Sequence, residues 1–106
     1  MIARDDTLAG YVAVHGRPPA FTGSDGRAYS VGVVSDDDPG PDGRFGAALL
    51  FVRWDEHQVP DGHLESDYLV YADSPKSAEE LLGQMALLEV QKALNGLIAR
   101  AGARSG

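Results

Sequence analysis

Cysteine is absent from the 106 residues of this chain. That excludes a disulfide framework and thiol chemistry. It also fits a reducing compartment, and cytoplasmic localisation is the expectation. Lysine is almost as scarce, occurring only at Lys76 and Lys92, so arginine supplies most of the nine basic side chains. With abundant Ala, Gly and Asp, that bias points to a GC-rich, bacterial genome. Sixteen Asp and Glu residues outweigh the bases, for a formal net charge of -7 and an isoelectric point near 4.7. An acidic surface argues against nucleic acid or an anionic membrane as the main partner. No apolar run approaches the roughly 20 residues a membrane helix needs. The segment MIARDDTLAG lacks a basic stretch followed by an apolar one, so no signal peptide is read there.

Motifs for common chemistries are missing too. Gly23-Ser24-Asp25-Gly26 lacks the spacing of a phosphate-binding glycine loop, and no lysine lies nearby. No G-x-S-x-G elbow appears. The acidic loop 36–43, DDDPGPDG, invites comparison with a calcium loop. Counting from Asp38 puts Gly40 at position 3 and Leu49 at position 12, where an oxygen ligand and a bidentate glutamate are required. A solvated connection is the better reading.

What the chain does contain is the composition of one soluble domain, 43% hydrophobic and 24% charged. Residues 1–7 read as a frayed terminus. Residues 8–15 alternate loosely and read as a strand, with a helical turn after Asp6 as the rival. Prolines at 18 and 19 break the pattern. Residues 27–35, RAYSVGVVS, read as a strand rich in β-branched and aromatic residues. Residues 45–54 form the strongest strand. Both of its faces are apolar, so it should be central and covered twice. Residues 64–72 read as its return, after a turn at Pro60-Asp61-Gly62. A helix is expected over 75–100, starting at Ser74-Pro75 or at the Ser77…Glu80 capping box. The expected fold class is α+β: an antiparallel meander of three to four strands over 8–72, with one long C-terminal helix packed on one face, in a single domain spanning 1–106.

The hairpin from Phe45 to Ala72 carries the candidate chemistry. Alternate residues of a strand share a face. A turn centred on Pro60 sets His57 opposite His63, Asp55 opposite Glu65 and Arg53 opposite Asp67, all on one face. Phe51 then meets Leu69, and Leu49 meets Tyr71. Asp55 against Glu65 is a like-charge pair that needs an offsetting cation or a shared proton. Asp55, His57, His63 and Glu65 are therefore the candidate ligands for a divalent metal, since imidazole and carboxylate suit Zn, Mn or Fe. The rival reading is a solvated hairpin end whose charges blunt aggregation. No other cofactor is expected.

Two apolar stripes run along the expected helix. Leu81, Leu82, Met85 and Leu88 form one, and Leu87, Val90, Leu94, Leu97 and Ile98 form another, shifted around the axis. One helix on one sheet buries one stripe, so the second predicts a further contact surface. A homodimer is the simplest way to cover it, with Trp54, Leu87, Val90, Leu94, Leu97 and Ile98 as its interface. Trp54, beside the charged hairpin end, is the expected anchor for a partner. In size, acidity and element order the chain resembles the small acidic dimeric chaperones of bacterial secretion effectors; no motif carries residues across. The expected function is a homodimeric protein-interaction module without catalysis. Its alternative is a small metal-dependent or acid/base enzyme, or a ligand-binding protein, working at the charged hairpin end.

Overall fold

A ten-residue strand, Phe45–Trp54, holds the sheet together. The computed structural model describes residues 5–105. Along them run α1 (Leu8–His15), β1 (Ala20–Thr22), β2 (Ala28–Ser35), β3 (Phe45–Trp54), β4 (Pro60–Glu65), β5 (Val70–Ala72), α2 (Pro75–Gly83) and α3 (Leu87–Ser105). The strands form one antiparallel sheet in the order β1-β2-β3-β4, and β5 pairs with β3 beyond the end of β4. The architecture is mixed α+β.

Odd-numbered residues of β2 and β3 point toward the helices. Tyr29, Val31, Ala47, Leu49 and Phe51 are buried there against Leu8, Ala78, Leu82, Val90, Leu94 and Leu97. No buried residue of this core is charged. Burying each of the Val, Leu and Phe side chains stabilises the fold by about 1.5–3 kcal/mol.

Residues 8–15 are a helix and not the expected strand. A short apolar run does not distinguish the two by periodicity. Its ends decide: the Thr7 hydroxyl accepts from the Gly10 amide at 3.0 Å, and Gly16 closes the helix at φ 69. Of the segment expected to fray, residues 1–4 lie outside the described residues, while Asp6 and Thr7 are bonded into the fold.

The single long helix is also corrected. It is two helices, interrupted at Gln84–Ala86. The N-terminal segment fills the gap. Leu8 N–H donates to Met85 O at 2.9 Å, Leu87 N–H donates to Asp6 O at 2.8 Å, and Thr7 bridges Ala86. The break lets part of each stripe reach the sheet. Leu82 of α2 and Val90, Leu94 and Leu97 of α3 all enter one core, while Leu81 and Leu88 of the first stripe stay exposed. The start of α2 follows one of the two expected signals: Ser74 Oγ accepts from Ser77 N–H at 3.0 Å, with Pro75 in the first turn.

Candidate functional site

The hairpin turn spans residues 55–59 and is centred near His57, about three residues earlier than Pro60. Asp55 N–H donates to Val59 O at 2.9 Å, and Gln58 N–H donates to Asp55 O at 3.1 Å. The Asp55 carboxylate accepts from the amides of His57 at 2.8 Å and Val59 at 3.0 Å. Asp is favoured at such turns because its side chain satisfies local amides. Gln58 takes the left-handed conformation, φ 64, that a bulged hairpin turn requires.

This turn resets the register. Val52 faces His63, Leu50 faces Glu65, Phe51 faces Leu64 and Arg53 faces Gly62; a bulge follows, and Trp54 faces Pro60. The expected pairs of Asp55 with Glu65, His57 with His63 and Arg53 with Asp67 are therefore not formed. Nor do Phe51 and Leu69, or Leu49 and Tyr71, meet: β4 ends at Glu65, and Tyr71 faces Gly46. Of the four proposed metal ligands, Asp55 is taken up by the turn and His57 projects at its tip, with a side chain 79% exposed. His63 and Glu65 stand two apart on β4. Among the described residues, no group of three or more His, Asp or Glu side chains comes together as a metal would need.

The bulge creates a polar cluster that sequence reading missed. Asp61 accepts from Arg53 Nε at 2.8 Å and from Arg27, and its main-chain oxygen accepts from Arg53 Nη2 at 2.9 Å. The Arg53 guanidinium lies over Gly62, where a Cβ would stand 2.8 Å from it. Nearby, the Tyr29 hydroxyl donates to Asp25 at 2.7 Å. These contacts tie the 23–27 turn and β4 together. The hydrogen bond from Arg53 is the largest influence on Asp61, and its carboxyl sits below the ordinary range. Desolvation alone would raise Asp25, but hydrogen bonds from Tyr29 and the Arg27 amide outweigh it and the net shift is downward. A carboxyl depressed in the folded state stabilises above its unfolded pKa, and that contribution is lost as pH falls through the folded value. Stability should therefore decline below about pH 4, the unfolded aspartate range. Carboxyl NMR titration of Asp25 and Asp61 checks this, and midpoints at or above the ordinary aspartate value would contradict it.

The other face of the sheet bears no helix. Even-numbered positions point there: Ser30, Gly32 and Val34 on β2, and Ala48, Leu50, Val52 and Trp54 on β3, joined across the register by His63 and Glu65. Trp54 Nε1–H donates to Ser30 Oγ at 2.9 Å, so its polar atom is satisfied and its ring lies as apolar surface. Tyr68 walls one end. Its ring covers Gly46, where a Cβ would stand 2.5 Å from it, and its hydroxyl donates to Asp36 at 2.6 Å. Tyr71 meets it edge to face at 5.9 Å. That hydrogen bond holds Asp36 below the carboxylate range and pushes the Tyr68 hydroxyl up. In a chain with 25 charged side chains, Glu65 is the one carboxylate at the strand positions of this face.

The expected interface residues do not form one surface: Leu87 is half-buried at the start of α3, where its amide bonds Asp6 O, and the others divide between the two faces. Val90, Leu94 and Leu97 are buried within the chain, and Ile98 packs against the same cluster. They are core because α3, after the break, lays its stripe on the same sheet face as Leu82 of α2. Trp54 is on the open face. Val34, Leu50 and Val52 join it there, and the even parity of β2 and β3 is the signal that would have named them. Comparison with protein-family models, curated proteins and solved structures found no match for the chain.

Proposed function

We propose that this chain is a non-catalytic interaction module that pairs with a second copy through the open sheet face. One observation carries the reading: the central strand presents Leu50, Val52 and Trp54 on a face that no element of the chain covers, and charge is nearly absent from it. Depletion of charge with aromatic enrichment is the compositional mark of an interface centre. A second copy fits because two sheets pack face to face at about 10 Å, side chains interdigitating, and a two-fold axis needs only one self-complementary patch. A partner with a basic patch would find little on this face to pair with.

The size of the face sets the strength. The five strands, of 3, 8, 10, 6 and 3 residues, at about 4.8 Å spacing and about 3.4 Å per residue give a footprint of about 500 Å². Stable interfaces bury about 800 Å² per partner. The dimer is therefore expected to be a weak one, exchanging in the micromolar range. Sedimentation velocity over a concentration series should show a monomer converting to a dimer across that range. A compact monomer throughout would remove the proposal.

A further inference from the structure

We propose that the free edge of β2, with the groove beside it, binds an extended peptide that carries alternate apolar residues and a flanking lysine or arginine. The edge is created by proline. β1 pairs with β2 only from Ala28 to Ser30. The next contact, Val31 N–H to Pro19 O at 3.3 Å, is one-sided, because Pro19 has no amide hydrogen to return to the Val31 carbonyl. Among the described residues, no strand lies against that side of β2 from Gly32 to Ser35.

The main-chain groups there face outward. Backbone groups alternate sides along a strand. Val31 bonds toward β1, and Asp36 N–H bonds toward β3, to Gly46 O at 3.1 Å. Val33 and Ser35, in step with Val31, thus turn their amides away from β3. Free edges are usually blunted by lysine, proline or a bulge. The stretch Val31-Gly32-Val33-Val34-Ser35 has none of these. Such an edge accepts an added strand, with main-chain bonds supplying affinity and alternate pockets supplying specificity.

The groove supplies the pocket. It opens between α1, α2 and β2, holds about 560 Å³, and is floored by Leu8, Ala9, Val12, Val31, Val33 and Gly83. An added strand would send every second side chain into it. Charge identifies the occupant. Glu79 and Glu80 line the rim against the single cation Lys76, the Ser35 hydroxyl donates to Glu79, and β2 runs out into Asp36-Asp37-Asp38. A basic side chain on the peptide is matched by this rim. The same edge of a second copy carries the same acidic rim and is opposed by it.

The test is fluorescence anisotropy of the full chain with a labelled peptide Lys-Val-Thr-Val-Thr-Val-Lys. Saturable micromolar binding is expected. N-methylating alternate peptide amides should weaken it about tenfold, the loss expected for a main-chain hydrogen bond. Val33→Pro should do the same from the protein side, since it removes an outward amide and spares the β2–β3 ladder; the methylated peptide decides the matter if that variant does not fold. Glu80→Gln should weaken binding and flatten its salt dependence. Val52→Asp, on the open sheet face, should leave the isotherm unchanged, which separates this site from the pairing surface. No saturable binding, equal binding of the methylated peptide, or equal binding of a peptide with glutamates replacing the lysines would each overturn the proposal. So would self-association abolished by Val33→Pro without peptide binding, because the edge would then be a contact between copies.

Discussion

Phe51→Ala should lower stability by about 3–5 kcal/mol. Phe51 is fully buried at the middle of β3. It faces Val31 on one neighbouring strand and Leu64 on the other, with the helices packed over the same face. Removing the ring deletes its contacts and leaves a cavity that a paired strand cannot collapse to fill. A domain of this kind is stable by about 5–15 kcal/mol, so the variant would stand near the unfolding threshold at ordinary temperatures. Urea unfolding followed by Trp54 fluorescence reads the effect as a lower midpoint at unchanged slope. A loss under about 1 kcal/mol would mean that the site relaxes freely, contrary to the burial described.

Val52→Asp should dissociate the proposed dimer while leaving the folded chain intact. Val52 lies at the centre of the open face, between Ser30 and His63. In the monomer an aspartate there reaches solvent, and the cost is that of a poor strand former, about 1 kcal/mol or less. In the dimer the two-fold axis buries two such carboxylates without a matching cation. An unpaired buried charge costs several kcal/mol, so the dissociation constant should rise at least about 100-fold. Sedimentation should then show a monomer at every concentration where the parent chain pairs. A variant that dimerises like the parent chain would place the interface elsewhere. Circular dichroism on the same samples separates this result from misfolding.

The two substitutions sit next to each other in sequence and act on opposite sides of one strand. That contrast could be read from the residues. Strict alternation from Phe45 to Trp54 shows which side chains share a face, and the apolar character of both faces marks the strand as central. The Ser74-Pro75 start of α2 and the acidic connection before β3 were likewise visible, because capping and turn formation are local hydrogen-bonding events.

The candidate metal site was not legible, for a physical reason. Two turn signals compete between Trp54 and Gly62, and register depends on which of them closes the hairpin. Asp55 satisfied two amides at once and won; Pro60-Asp61-Gly62 was absorbed into β4, with Asp61 at the bulge. Because side chains alternate, the shift in register dispersed the four proposed ligands. The break between α2 and α3 was hidden for a different reason. It is held by Asp6, Thr7 and Leu8, about eighty positions away in the chain, and no local propensity at Gln84–Ala86 reports that pairing.

Residue order alone thus settled the α+β class, the central strand and the two-sided apolar pattern that calls for two coverings. Which side the helices take, and hence which apolar set is core and which remains open, was set by the fold. Periodicity is symmetric between the two faces of a strand. The bend between α2 and α3 breaks that symmetry by bringing Leu82, Val90, Leu94 and Leu97 to the face of Leu49 and Phe51, while no helix covers Leu50, Val52 and Trp54, which stay half-buried.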